Sequence, residues 1–176
     1  PALNRHGFRT VVERCAGAVG VDVVNVRRCH AGALARQRHG SHGGVALRLA
    51  GEGARLVLVD KYAVPRTLFK EDEGWQGLSS VVSEIEAMGS KALAAVADIA
   101  GRQEVDGAVA KGIEEFGKID ILVHCAAIRG PMTTPVVELS ESDWRAVLDV
   151  NLTGAFLTLQ AAVKRHKADL GVAFDG

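Results

Sequence analysis

The chain has 176 residues, 48% of them hydrophobic, and its 21 Lys and Arg are balanced by 21 Asp and Glu. That length supports one domain with a sizeable core, and a zero net charge argues against a general affinity for nucleic acid. No apolar run approaches the roughly 20 residues of a membrane span, and Cys15, Cys29 and Cys125 are too few and too scattered for a disulfide framework or a zinc site, so a cytoplasmic protein without a metal or a membrane is expected.

The average conceals a split. Residues 1–44 hold seven Arg, no Lys and two acids, Glu13 and Asp22, while the remainder holds 14 basic and 19 acidic residues. The Arg residues of the front are dispersed, Phe8 is its one aromatic, and Ser41 is its one serine. That pattern suits neither a nucleic-acid arm nor a transit peptide.

In chain order, "VDVVNV" (Val21–Val26) is the one β-rich run in the front. From Val45 the elements alternate. Val45, Leu49 and the alanines between them form a short apolar helix face, stopped by Gly51 and Gly53. "ARLVLVD" is a continuous apolar run of strand length, as a parallel strand covered on both faces requires. Residues 61–75 read as loop. "LSSVVSEIEAMG" places Val81, Val82, Ile85 and Met88 at helical spacing, and "KALAAVADI" is a second buried strand. "RQEVDGAVAKGIEEFG" is a helix with Val105, Val109 and Ile113 on one face, and "IDILVHCAAI" is another strand. Ser140 and Asp143, spaced as a capping box, open a long helix through Trp144, Leu148, Leu152, Leu159 and Val163. Strands separated by helices of this size predict an α/β fold: a doubly wound parallel sheet of Rossmann type, here incomplete.

Asp60 ends a buried strand about 18 positions after a glycine cluster. A carboxylate there accepts both ribose hydroxyls of an adenosine and disfavours a 2′-phosphate, so NAD is expected as cofactor over NADP. From this residue the chain resembles the short-chain dehydrogenase/reductase family. "ALRLAGEGARLVLVD" is similar to the family's first helix and second strand. "ADI" resembles the Asp-hydrophobic pair that contacts adenine, here Asp98 and Ile99. "IDILVHCAAI" resembles the strand that ends Asn-Asn-Ala-Gly in the family, here His124, Cys125, Ala126 and Ala127. "WRAVLDVNLTGAFL" resembles the long helix that carries a catalytic Asn, here Asn151. The resemblance covers residues 45 to about 165.

It implies cofactor-binding roles for Asp60, Asp98, Ile99, Ala126 and Ala127, and a role for Asn151 in distorting its helix and holding a water for proton relay. Ala127 departs from the pattern by adding a methyl where backbone approaches the cofactor. His124 and Cys125 lie at the end of a buried strand without an identifiable partner and read as packing residues. Family members follow this helix with a Ser and then Tyr-x-x-x-Lys, in which the Lys lowers the Tyr pKa. Only 25 residues follow Asn151 here, and none is Ser or Tyr. The lone Tyr62 has Arg66 at the Lys spacing, but Pro65 intervenes and the position belongs to the adenine side.

The family's phosphate loop, Gly-x-x-x-Gly-x-Gly, should precede Val45. Counting back from Glu52 puts its last two glycines at Gly40, a cofactor-binding candidate, and at His42. Arg38–Gly44, written in GC-rich codons and read one nucleotide later, yields glycine-methionine-glycine-arginine-methionine-alanine, a good loop for the family. Residues 1–44 are therefore read as an irregular, out-of-frame segment replacing the first strand and the loop, and residues 45–176 as a partial dinucleotide-binding domain. Val21–Val26 is expected to fill the empty strand position, followed by a long connection. The tail "HKADLGVAFDG" does not resemble the family's next strand and is assigned the same origin. The implied function is an NAD(P)-dependent oxidoreductase acting on an alcohol or carbonyl, with the full-length protein a homo-oligomer and this chain inactive for want of the Ser and Tyr-x-x-x-Lys. The alternative is a non-catalytic nucleotide-binding or structural relic.

Overall fold

A computed structural model describes residues 21–25, 40–64, 77–131, 133–164 and 170–173. Five strands, β1 (Val21–Asn25), β2 (Arg55–Asp60), β3 (Ala92–Val96), β4 (Ile121–His124) and β5 (Leu170–Ala173), form one sheet in the order β3-β2-β1-β4-β5. All four pairings are parallel. The run expected to fill the first-strand position does so: Val23 pairs with Val57 on one side and with Leu122 on the other. The connection from it, residues 26–39, lies outside the described residues. The tail also supplies a strand, since Leu170 pairs with Ile121 and Ala173 with His124. A bare strand edge recruits a short apolar segment through backbone hydrogen bonds.

Helices α1 (Gly40–Gly51), α2 (Leu78–Ala87) and α3 (Arg102–Phe116) connect the strands. The sheet separates two apolar layers, as the two-residue period of a strand dictates. Leu56, Leu58, Ile121 and Val123 point to the side where Leu49 of α1 and Val81 and Ile85 of α2 pack. Val57, Val59 and Leu122 point to the other, against Val105, Val109 and Phe116 of α3 and Leu157 of the last helix. The apolar periodicity of α1, α2 and α3 thus names their packed faces correctly, except that Met88 is half exposed. Helix α1 starts at Gly40 instead of near Val45, so the glycines Gly40, Gly43 and Gly44 are helical.

The last helix, α4, runs over residues 141–164 as an α-helix (Glu141–Leu148), a π turn (Asp149–Gly154), a further α-helical turn (Ala155–Leu159) and a second π turn (Gln160–Lys164). Ser140 caps it as expected: its Oγ accepts the Asp143 N–H at 3.1 Å and donates to Asp143 Oδ2 at 2.6 Å. The expected apolar line does not all become core, since Trp144 and Leu152 are 53% and 66% exposed. A π turn widens the helix and shifts the phase of everything after it. The buried side of α4 is instead Gly154, Leu157, Thr158, Ala161 and Ala162.

Gly112 marks where α3 lies closest to the sheet. A Cβ there would stand 2.8 Å from Cγ2 of Val57, a stiff, fully buried side chain. Replacing glycine by alanine in a helix gains about 1 kcal/mol of propensity, while overpacking a core costs about 1–3 kcal/mol. Gly112→Ala should therefore lower the urea midpoint. Gly107→Ala, on the exposed side of the same helix with no atom within 4 Å of the new methyl, should raise it. Chemical denaturation of the two variants checks the pair of opposite signs.

Candidate nucleotide-binding site

The strand order reverses direction between β1 and β4, and a doubly wound sheet holds its ligands at the carboxyl ends of the strands beside such a point. A cleft of about 380 Å³ lies at this edge. Asp60, Lys61 and Tyr62 enter it from the end of β2, residues 97–100 from the end of β3, and Ala126 and Ile128 from the end of β4. Ala146, Asp149 and Val150 of α4 close the far wall. Its size falls in the range of small-molecule sites. Four of the sequence candidates, Asp60, Asp98, Ile99 and Ala126, meet on it. Ala127 is half-buried and is not among the lining residues, and Gly40 is the first residue of α1.

The two carboxylates are held by short local turns. Asp60 Oδ1 accepts the Tyr62 N–H at 3.0 Å, and Asp98 Oδ1 accepts the Ala100 N–H at 3.0 Å. Asp98 Oδ2 lies 2.5 Å from the Lys61 ammonium. Tyr62 stands on the cleft wall beside Asp60, on the side where the sequence placed it. Pro65 and Arg66 lie outside the described residues. The small side chains Ala97 and Ala126 and the flat wall of Ile99 leave room between the carboxylates for a planar ring, so the residues present fit the adenosine end of a dinucleotide.

Asn151 sits in the π turn of α4. Its Oδ1 accepts the Ile128 N–H at 2.7 Å and its Nδ2 donates to the Ile128 carbonyl at 2.9 Å. One side-chain amide thus satisfies both backbone polar groups of a single residue of the loop after β4. An Asn inside a helix competes with that helix for hydrogen bonds, and here it spends its amide on a neighbouring loop where the helix is already widened. Asn151 is not itself among the lining residues; it fixes Ile128, which is.

Sequence reasoning missed two residues of α4. Gly154 packs on Ile99: a Cβ there would come 2.7 Å from Ile99 Cδ1 and 3.3 Å from its carbonyl oxygen. The glycine within "NLTGAFL" was its available signal. Thr158 corrects the reading that His124 has no partner. Its Oγ1 lies 2.9 Å from His124 Nδ1, 2.9 Å from the Gly154 carbonyl and 3.0 Å from the Ala155 carbonyl. The single hydroxyl proton goes to a carbonyl, so the hydroxyl accepts from Nδ1–H and the proton of neutral His124 is on Nδ1. Nε2 is buried with no hydrogen-bond partner among the described residues. Burial pushes the His124 pKa below its ordinary 6.5, opposed in part by a backbone hydrogen bond with Ala126. His124 and Cys125 are 4% and 3% exposed, and neither lines the cleft, in keeping with packing roles.

A doubly wound parallel sheet with a cleft at the carboxyl ends of its strands is of the Rossmann class. Residues 43–171 match the model of the short chain dehydrogenase family, and the chain belongs to that family. It is 39% identical over 116 residues to the (2S)-[(R)-hydroxy(phenyl)methyl]succinyl-CoA dehydrogenase subunit BbsD of Thauera aromatica, spanning 66% of this chain and 41% of that protein. It is 38% identical over 130 residues to an NAD-dependent oxidoreductase of Mycobacterium tuberculosis, spanning 73% of this chain and 46% of that one. Among solved structures, NAD+-bound xylitol dehydrogenase superposes with a TM-score of 0.63 at 28% identity, over 82% of this chain and 47% of that one. Levodione reductase, at 24% identity, shares the fold with a TM-score of 0.68 over 88% of this chain and 53% of that one. The chain therefore spans about half or less of the length of these relatives.

Three predictions come from α4 and its contact with β4. Gly154→Ala should push Ile99 into the cleft and weaken adenine-nucleotide binding by more than it lowers Tm, measured by titration and by thermal melting of the same sample. The second is a pH dependence. Because the folded pKa of His124 lies below the unfolded 6.5, the unfolded chain takes up a proton first as pH falls. The neutral-state stability is fully present above about pH 6.5 and is lost as pH falls from there towards the folded pKa, by at most about 1.4 kcal/mol per pH unit. His124→Asn should flatten that part of the denaturation profile relative to the parent chain. Thr158→Val, which leaves Nδ1–H buried and unsatisfied, should cost about 1–3 kcal/mol.

Proposed function

We propose that this chain is the dinucleotide-binding portion of an NAD(H)-dependent oxidoreductase that moves hydride between the nicotinamide and an alcohol or carbonyl. The observation that carries the reading is the convergence of Asp60, Asp98, Ile99 and Ala126 on one cleft at the switch point of the sheet. Asp60 accepts the ribose hydroxyls, Asp98 and Ile99 meet the adenine, and Ala126 gives the ring room. The first turn of α1 at Gly40 faces the same edge of the sheet and takes the pyrophosphate end. Ala127 lies along the onward path of the cofactor. Hydride chemistry is supplied by the nicotinamide when it is bound. Asn151 acts as a positioning residue that holds the loop after β4 through Ile128.

We assign NAD over NADP because a fixed carboxylate at Asp60 opposes a 2′-phosphate. A nicotinamide cofactor is supported by the names of the M. tuberculosis relative, an NAD-dependent oxidoreductase, and of xylitol dehydrogenase in its NAD+-bound form. Among the described residues no helix is long and apolar enough to cross a membrane. The exposed apolar side chains Trp144, Leu152 and Phe156 on α4 support a homo-oligomer of the full-length protein. Residues 1–44 are proposed to be an out-of-frame segment whose Val21–Asn25 run occupies the first-strand position by its β propensity.

Proton transfer by a positioned group contributes about 10²–10⁴-fold to rate, and no Ser or Tyr follows Asn151 to provide it. The chain of residues 1–176 is therefore expected to bind NAD weakly, to bind NADP more weakly, and to turn over no alcohol or ketone. Asp60→Ala should weaken NAD binding while narrowing the gap to NADP. Calorimetric titration with both dinucleotides tests the binding. Tighter NADP than NAD in the parent chain would remove the assignment. Steady NADH oxidation that survives repurification would reject the inactivity.

A further inference from the structure

The cleft carries one cation among its described lining residues, Lys61, against the carboxylates of Asp60, Asp98 and Asp149. Lys61 follows Asp60 directly in the chain, yet its ammonium is drawn across the cleft mouth to Asp98, 2.5 Å from Oδ2 and 6.0 Å from the centre of the Tyr62 ring. The two partners are unequal. The Lys61 side chain is 49% exposed and sits on a flexible stem. Asp98 is 24% exposed and held from two sides: Oδ1 accepts the Ala100 N–H at 3.0 Å, and its own N–H donates to Glu104 Oε2 at 2.8 Å. The carboxylate is the fixed anchor and the lysine is the movable part.

We propose that Asp98 is a specificity-determining residue for the cofactor: by holding Lys61 at the adenine side of the cleft, it keeps the one cation among the described lining residues away from the ribose edge and so lets Asp60 reject a 2′-phosphate. The inference rests on the proposed NAD-binding reading of this cleft. Its physical basis is competition. Lys61 is tethered next to Asp60, so an ammonium released from Asp98 is within side-chain reach of a phosphate on the 2′-oxygen, where it would compensate the Asp60 charge. A charged phosphate gains more from that ammonium than a neutral ribose hydroxyl does, so the two nucleotides respond unequally to the same release.

The test compares two small probes of the adenosine end, 5′-AMP and adenosine 2′,5′-bisphosphate, titrated calorimetrically into the 176-residue chain at one fixed low ionic strength. Both carry the same adenine, so any loss of adenine contact at residue 98 cancels in the ratio of their affinities. Asp98→Asn, which keeps an Oδ1 acceptor for the Ala100 N–H, should shift that ratio at least about threefold towards the bisphosphate. Lys61→Met alone should move it less than twofold, and Asp98→Asn combined with Lys61→Met should lose the shift. Asp98→Ser, whose hydroxyl also serves Ala100, repeats the measurement should Asp98→Asn fail to fold. An unchanged ratio in the Asp98 variants, or a shift that persists without Lys61, overturns the inference while leaving the binding reading intact. A parent chain that binds neither probe overturns both.

Discussion

Everything at the binding edge depends on β1 standing between β2 and β4. Parallel neighbours are about 4.8 Å apart, so one intervening strand sets the ends of β2 and β4 about 10 Å apart. That spacing separates Asp60, at the end of β2, from Ala126, just beyond β4, and opens the sheet edge at the point where the strand order reverses. Without β1, two strands buried on both faces would each present an unpaired row of N–H and C=O groups, an arrangement that buried backbone does not tolerate. The demand for a central strand is therefore strong and its side-chain requirements are loose. The run Val-Asp-Val-Val-Asn takes the position because what it must supply is extended backbone and β propensity.

The second constraint is α4, which serves the cleft from behind. In the π turn Asn151 reaches out to clamp the Ile128 peptide while Gly154 lets the helix settle on Ile99. One local distortion thus positions two walls of the same cleft, one after β4 and one after β3. It also has a cost: with the phase shifted, Leu152 and Phe156 stand in solvent. A regular α-helix carrying the same residues would bury a different line and bring a different set against the loops.

How much of this was legible follows from which interactions each residue makes. Strands β2, β3 and β4 and helices α2 and α3 were readable because each is a local apolar pattern with one dominant period. Asp60, Asp98, Ile99 and Ala126 were readable because strand ends are fixed positions in a parallel sheet, so spacing along the chain maps onto one edge in space. The position of β1 was legible by elimination, since one β-rich run was available for one empty place. What escaped was non-local or used no side-chain signal. The His124–Thr158 hydrogen bond joins residues 34 apart through two buried polar groups that look isolated in sequence. The π turn is an insertion without a residue signature of its own. β5 pairs through its backbone, so its unfamiliar sequence concealed it.

The two ends of a dinucleotide make different demands on the chain, and the distinction decides what a change in the loop before Val45 would remove. In the proposed reading the adenosine end is held by side chains on the ends of β2, β3 and β4, which the two apolar layers and the central β1 keep in place. The pyrophosphate end of a dinucleotide needs backbone N–H groups brought close by glycines at a helix N-terminus, a geometry with little tolerance for a larger side chain. Folding and adenosine recognition therefore draw on one set of residues, and cofactor affinity on that set plus the loop. A change confined to the loop leaves the sheet, the cleft and its charge pattern standing while it loosens the hold on the phosphates. The domain can thus keep its family likeness over residues 43–171 with its binding energy concentrated in the adenosine half.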